Sequence, residues 1–393
     1  MRYFGLLVAA LCSMAFTSCF KDEALNNECD IRKAYMHLDF PLQMFFSETD
    51  TVKVVDSGVS TIVFDVRDSC NLTNLAPCFK LTKGATIFPE SGSRHNFTDS
   101  VLYLVTSQDK NYSRKYIVKF NKVAESIATD TVHYNFDNFF LNTAGDYPGH
   151  YYVWSDKDSN GNEQNNWASG NEGFMISNSK ATAADVPTMP ASETDHPTCV
   201  KLMTRSTGTF GKMASMPIAA GNIFIGEFDI SKSLDKNAAG IKGVLATKFG
   251  LPFTGQPARF RGYYRYKRGE TMTDAKLNVL SNKKDYGSIY AVFYDNHDES
   301  GKSFVLHGDD ALTSSQIIAV ANVGDIDNTD GWVEFDIPFV MQPGKSISKA
   351  KLKSRGYSLA IVASSSTEGG SYTGAVGSTL YIDDFVIECG SLQ

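Results

Sequence analysis

The side chains of this chain that could do chemistry are carboxylates and aromatic rings. A glycosidase needs only two carboxylates about 5–10 Å apart, and the chain has 44 Asp and Glu to draw on, yet none sits in a catalytic motif. H-E-x-x-H, G-x-S-x-G, G-x-x-x-x-G-K-[ST] and G-x-G-x-x-G are all absent. The seven His are scattered, with no two in metal-ligand spacing. Asp156-Lys157-Asp158-Ser159-Asn160-Gly161 matches the first half of a calcium loop, but Trp167 stands where the bidentate Glu belongs. A tight Asn-Gly turn explains that segment more simply. Trp154 and Trp167 flank it in a Gly/Asn/Asp-rich stretch, where an indole either meets a ligand or plugs the end of a β-sandwich.

Strand alternation supplies further candidates. In Phe260 to Lys267, one face carries Phe260, Tyr264 and Tyr266, and the other Arg261, Tyr263, Arg265 and Lys267. The first face reads as core and the second as a wet face with Tyr263 among cations, where cross-strand pairing is the plainer explanation. Ser288 to Tyr294 is apolar on both faces, with Tyr290, Val292 and Tyr294 on one of them. Such a strand lies under a covering loop or lines a ligand groove. Tyr290 and Tyr294 are therefore candidates for stacking on a pyranose, whose C–H side fits an aromatic face, with packing under a loop as the alternative.

The elements that would position these residues are short strands. From Ala34 to Phe120 the segments Val52–Val55, Thr61–Val66, Val101–Val105 and Lys115–Phe120 are split by turn residues, with no amphipathic helix. After residue 133 comes a Gly/Asn/Asp/Ser-rich all-β region. Its expected strands are Cys199–Met203, Asn222–Ile230, Ala258–Lys267, Ser288–Tyr294, Gly331–Phe339, Tyr357–Ser364 and Thr379–Glu388, with one weak helix at Leu312–Ala321 and a long loop over 177–198. The expected fold class is all-β: an immunoglobulin-like β-sandwich at 34–122, a linker at 123–133 and a larger jelly-roll β-sandwich at 134–393. The net charge of −7 argues against a nucleic-acid partner and against docking on anionic lipid. Cys29, Cys70, Cys78, Cys199 and Cys389 show no zinc spacing. In an oxidising compartment Cys70 with Cys78, or Cys199 with Cys389, could pair, although buried unpaired thiols are the preferred reading.

The N-terminus carries targeting information. Arg2 precedes an apolar run, Phe4 to Phe16, too short to span a bilayer. Phe16-Thr17-Ser18-Cys19 resembles a bacterial lipobox, which implies cleavage after residue 18 and lipidation of Cys19. Lys21-Asp22-Glu23 behind it resembles the export signal of lipoproteins displayed on the outer membrane of gut Bacteroidota. A lipidated tether is expected over 19–33, with the lipid as the only membrane anchor.

Two longer stretches also resemble known families. LAPCFKLTKGATIFPESG (Leu75 to Gly92) and VLYLVTSQDKNYSRKYIVKF (Val101 to Phe120) look like the immunoglobulin-like modules at the N-termini of Bacteroidota surface lipoproteins, which space and present the domain C-terminal to them. Tyr134-Asn135-Phe136-Asp137, Trp167, LATKFGLPFTGQPARFRGYYRYKRG (Leu245 to Gly269), GWVEFDIPF and LYIDDFVI resemble the putative carbohydrate-metabolism (PCMD-type) domain of the same lipoproteins, a jelly roll akin to carbohydrate-binding modules. That resemblance implies glycan contact. Asp383-Asp384 resembles the paired acids that close many carbohydrate-binding jelly rolls, where one helps hold a structural calcium, with Asp137 as the first-strand partner. Since adjacent strand residues point to opposite faces, only one of the two acids is expected to look inward. No cofactor is otherwise required.

The function expected from the sequence is a surface-exposed, non-catalytic lipoprotein that binds extracellular glycan through its jelly roll, within a polysaccharide-utilisation system. The alternatives are a glycoside hydrolase on the same fold, and an adhesin or structural partner of an outer-membrane transport complex.

Overall fold

The computed structural model describes residues 25–390 apart from 47, 56–57, 124–126, 130, 144–146, 158–162 and 230–242. Cys19 and the Lys21-Asp22-Glu23 signal lie outside these residues, as does most of the Asp156–Gly161 loop. No helix among the described residues is long and apolar enough to cross a membrane.

The protein is nearly all β. Its N-terminal sandwich is built from β1 (Ile31–Tyr35), β2 (Val52–Val54), β3 (Thr61–Arg67), β4 (Cys78–Leu81), β5 (Thr86–Phe88), β6 (Val101–Thr106) and β7 (Ser113–Val123). One sheet has the order β2-β1-β4 and the other β3-β7-β6-β5. β3 runs parallel to β7, while the remaining pairs are antiparallel. Strict alternation drives this module: in β3, Ile62, Phe64 and Val66 are buried, and in β7, Tyr116, Val118 and Phe120. These side chains meet Ile31, Phe45 and Phe79 from the facing side in one core. β1 starts inside the stretch expected to be tether, and a register shift between Ile31 and Lys33 hides its alternation in the sequence. The hairpin joining β6 and β7 turns at Lys110, with a φ of 62°.

The C-terminal sandwich uses β8 (Val132–Tyr134), β9 (Thr188–Ala191), β10 (Cys199–Met203), β11 (Asn222–Phe228), β12 (Pro257–Lys267), β13 (Ser288–Asp295), β14 (Ile317–Asn322), β15 (Val333–Pro338), β16 (Tyr357–Ser364) and β17 (Thr379–Cys389). A six-stranded sheet has the order β9-β10-β17-β12-β15, with β8 also on β17. An eight-stranded sheet runs from the short strand Trp167–Ala168 through β11, β16, β13 and β14 to Val340–Met341. Phe260, Leu380, Ile382, Phe385 and Ile387 of the first sheet pack on Ile223, Ile289, Ala291, Phe293 and Ile361 of the second. Pro190 is tolerated because β9 is an edge strand. The helix expected over Leu312–Ala321 is instead a turn followed by β14, whose Ile317, Ile318 and Val320 favour extended backbone.

Cys29, Cys70, Cys78 and Cys199 are free thiols. Cys199 flanks the Val200–Ile382 pair on β10, whereas Cys389 lies at the far end of β17. At ~3.3 Å per residue, that places the two roughly 20 Å apart, beyond disulfide reach. Cys70 lies against the carbonyl oxygen of Met44, while Cys78 opens β4 beside the carbonyl of Ala76, and each is partly buried.

Candidate functional site

The two sheets of the C-terminal sandwich differ on their outer faces. On the eight-stranded sheet, Val292 and Tyr294 point outward but are covered by Phe304, Leu306 and Ala311 of the segment that connects β13 to β14. Tyr294 is 1% exposed and its hydroxyl donates to the carbonyl of Phe249 at 2.6 Å. Gly250, with a φ of 98°, makes room for that ring, because a Cβ there would lie 2.7 Å from it. Tyr290 packs against the same cluster. Of the two readings of this strand, the structure shows the covering loop over Tyr294, while Tyr290 is half-buried at the edge of the same cluster.

Trp154 and Trp167, 2% and 6% exposed, lie in the main core as well. Trp167 packs edge-on against Tyr134 and leans on Phe136. Although its neighbours in sequence are polar, Trp167 opens a short edge strand that pairs with Ile225, which turns the indole inward. Buried rings cannot serve as binding platforms, so the loop tryptophans plug the sandwich.

On the six-stranded sheet the outer face stays open. β12 keeps the expected split: Phe260 and Tyr266 are buried, while Arg261, Tyr263 and Arg265 face out, half-buried. The registers then assemble two cross-strand rows. Lys201 pairs with Tyr381 and Tyr381 with Arg265, with Trp332 beyond them, immediately before the strand that pairs with β12. Beside that row, Asp383 pairs with Tyr263 and Tyr263 with Glu334. The Arg265 guanidinium lies 4.5 Å from the Tyr381 ring centre and pairs with Glu193 at 2.8 Å. Lys201 Nζ is 5.8 Å from the same ring, and burial together with the Arg205 charge pushes its ammonium pKa down. Arg261 pairs with Glu388 at 2.9 Å. A cleft of about 380 Å³ opens beside these rows, lined by His133, Asn135, Arg261, Tyr263, Glu334 and Asp384.

Asp383 and Asp384 behave differently from the alternation expected of them. The register between β12 and β17 shifts here, and Asp384 has a φ of 50°, so the strand bulges. Gly262 opposite leaves the space that Phe385 enters, since a Cβ would meet that ring at 2.5 Å. The bulge returns Phe385 to the core and leaves both carboxylates outside it. Asp383 is buried beneath His196, whose Nδ1 lies 2.6 Å from Asp383 Oδ2. Burial pushes the Asp383 carboxyl up to about 6. The His196 ring stacks on Trp332 at 3.9 Å and leans on Tyr263 at 5.1 Å.

Asp137 does not join this group. It is exposed and its carboxylate accepts a hydrogen bond from Asn135 Nδ2 at 2.6 Å. The third side chain converging on Asp383 and Asp384 is His196, an imidazole rather than the third carboxylate expected of a calcium site. Of the residues singled out from the sequence, Tyr263, Asp383 and Asp384 meet at this face. His196, Trp332, Tyr381 and Lys201 were missed. Alternation in GWVEFDIPF and LYIDDFVI could have placed Trp332 and Tyr381 outside, whereas nothing local marks His196.

With this geometry in view, the comparisons with known proteins decide the family. A profile described as "Putative carbohydrate metabolism domain" matches residues 135–388. The chain belongs to this family. A second profile, "SGBP, N-terminal", matches residues 42–120. Among solved structures, a putative glycoside hydrolase from Bacteroides thetaiotaomicron VPI-5482 is 35% identical with a TM-score of 0.71, over 95% of this chain and 100% of that one. A putative glycoside hydrolase from Bacteroides vulgatus ATCC 8482 is also 35% identical, with a TM-score of 0.59 over 67% of this chain and 100% of that one. No curated protein matches. The carbohydrate-metabolism match covers the C-terminal sandwich from residue 135 and includes every residue of the open face described above except His133.

Proposed function

We propose that the chain is a surface-displayed lipoprotein, anchored through Cys19, that binds extracellular glycan on the outer face of its six-stranded sheet. The observation that carries this reading is the open row of Lys201, Tyr381, Arg265 and Trp332, beside Tyr263 and the cleft. Aromatic rings among charged groups suit a sugar, which presents a C–H face to the ring and hydroxyls to the charges. The carbohydrate-metabolism domain supports glycan as the ligand class, and the SGBP match, a family named for surface glycan binding, supports display at the cell surface. The N-terminal module spaces this face from the membrane. An outer-membrane transporter is a natural partner for such a binder.

One observation favours a second reading, hydrolysis. Asp383 lies beside Asp384 on the open face, and burial lifts the Asp383 carboxyl to about 6, a range suited to a general acid. Electrophoresis through gels containing different polysaccharides, with a reducing-end assay alongside, separates the two. Retardation without new reducing ends is the expected result. Release of reducing ends, abolished by Asp383→Asn, replaces the binder with the hydrolase.

A further inference from the structure

Chain regions far apart in sequence bring metal-ligating atoms together at one point of the open face. His196 comes from the loop between β9 and β10, and Asp383 and Asp384 come from the bulge in β17. One ligand atom from each lies within 4.8 Å of the others. We propose that His196, Asp383 and Asp384 form a binding site for a divalent transition-metal ion of the zinc or manganese class, with its remaining coordination positions open toward the cleft.

The donor set selects the class of ion. Calcium and magnesium take oxygen ligands, whereas one imidazole with two carboxylates suits zinc and its first-row neighbours. The geometry is near closure. Two ligands at ~2.0–2.2 Å from zinc stand at most about 4.4 Å apart, so the cluster must close by a few tenths of an ångström, which rotation of the exposed Asp384 side chain can supply. His196 and Asp383 already meet at 2.6 Å and need to part by under ~1 Å to bracket an ion. His196 is held between Trp332 and Tyr263, and Asp383 Oδ1 accepts the Asp384 backbone N–H at 2.9 Å, the kind of outer support that orients ligands in metal sites.

Electrostatics point the same way. Asp383 is 4% exposed and His196 9%, so a negative charge here is costly without a cation. Asp383 has only His196 as its ion-pair partner, and no ion pair to Asp384 is formed among the described residues. A metal ion that takes both groups as ligands replaces the 2.6 Å His196–Asp383 hydrogen bond. Asp384 also lines the cleft, which aims the open positions at whatever enters there.

This inference stands apart from glycan binding, because it is read with the metal alone. The untagged full chain is stripped with chelator and titrated calorimetrically with zinc chloride, manganese chloride and calcium chloride. One equivalent of zinc or manganese is expected, with calcium bound far more weakly. His196→Gln and Asp384→Asn should each weaken that binding by at least about 10-fold. Asp384→Asn is the cleaner variant: the residue is exposed, and Asn tolerates the positive φ of the bulge. The proposal is overturned if neither ion binds, if calcium binds in preference, or if both variants bind zinc as the parent does. Glycan retardation in gels containing EDTA tests the open face separately, so either idea can fail while the other stands.

Discussion

Two strands of the C-terminal sandwich make the most informative comparison. β13 and β12 both carry tyrosines on the side away from the core, Tyr294 on one and Tyr263 on the other. In β13 that side is roofed by Phe304, Leu306 and Ala311 from the connection to β14, which adds a second apolar layer to the sheet. In β12 no such roof exists among the described residues. The loop before β10 reaches over only part of it, with Glu193 against Arg265 and His196 over Asp383. Alternation therefore fixes which way a side chain points, but the connections decide whether that direction is wet. One outer face became structure, and the other remained available for ligands.

Substitutions can break this contrast, and the largest effect should fall on the covered side. Tyr294→Ala removes a buried ring and its hydrogen bond to Phe249, and should cost about 3–5 kcal/mol in chemical denaturation. A loss below about 1 kcal/mol would mean that the roof is not packed as described. Next comes the half-buried carboxyl of Asp156 beside Trp167. Burial lifts the Asp156 carboxyl to about 6, above the ~3.9 of a free Asp. The folded state thus holds the proton more tightly than the unfolded chain. This contribution is fully present below about pH 4 and is lost as pH rises through 6. Asp156→Asn should stabilise the protein by roughly 2 kcal/mol at about pH 7.5 and by almost nothing at about pH 4, as thermal melts at the two pH values would show.

The smallest stability effect should fall on the open side. Arg265→Ala breaks a half-exposed pair with Glu193, and should change stability by less than about 1 kcal/mol. The same substitution strips the cation from the Tyr381 ring, so it should weaken retardation in polysaccharide gels. A large loss of stability without any change in retardation would assign Arg265 to structure instead.

Much of the fold was legible in the sequence because strands announce themselves by period. Cys199–Met203 and Tyr357–Ser364 fall where alternation and apolar runs put them. The helix at Leu312–Ala321 failed because a short apolar run carries little periodicity, and β-branched residues settled it toward strand. The site was less legible for three separate reasons. Trp154 and Trp167 sit in polar sequence but are folded inward by strand pairing. Asp383 and Asp384 escape alternation through a bulge marked by the register shift and the positive φ of Asp384. His196 reaches Asp383 across 187 residues, a contact that no local pattern encodes.

If the open face of the six-stranded sheet holds glycan, Trp332 is the residue that tests it most directly. The residue lies at one end of the aromatic row and stacks on His196, outside the core. Its replacement by Ala removes a half-buried ring from His196 and should cost no more than about 2 kcal/mol of stability. With a polysaccharide that retards the parent chain, the affinity measured from gel mobility should fall by about 10-fold or more, equivalent to ~1.4 kcal/mol. Retardation of Trp332→Ala equal to that of the parent would contradict glycan binding at this face and move the ligand elsewhere on the molecule.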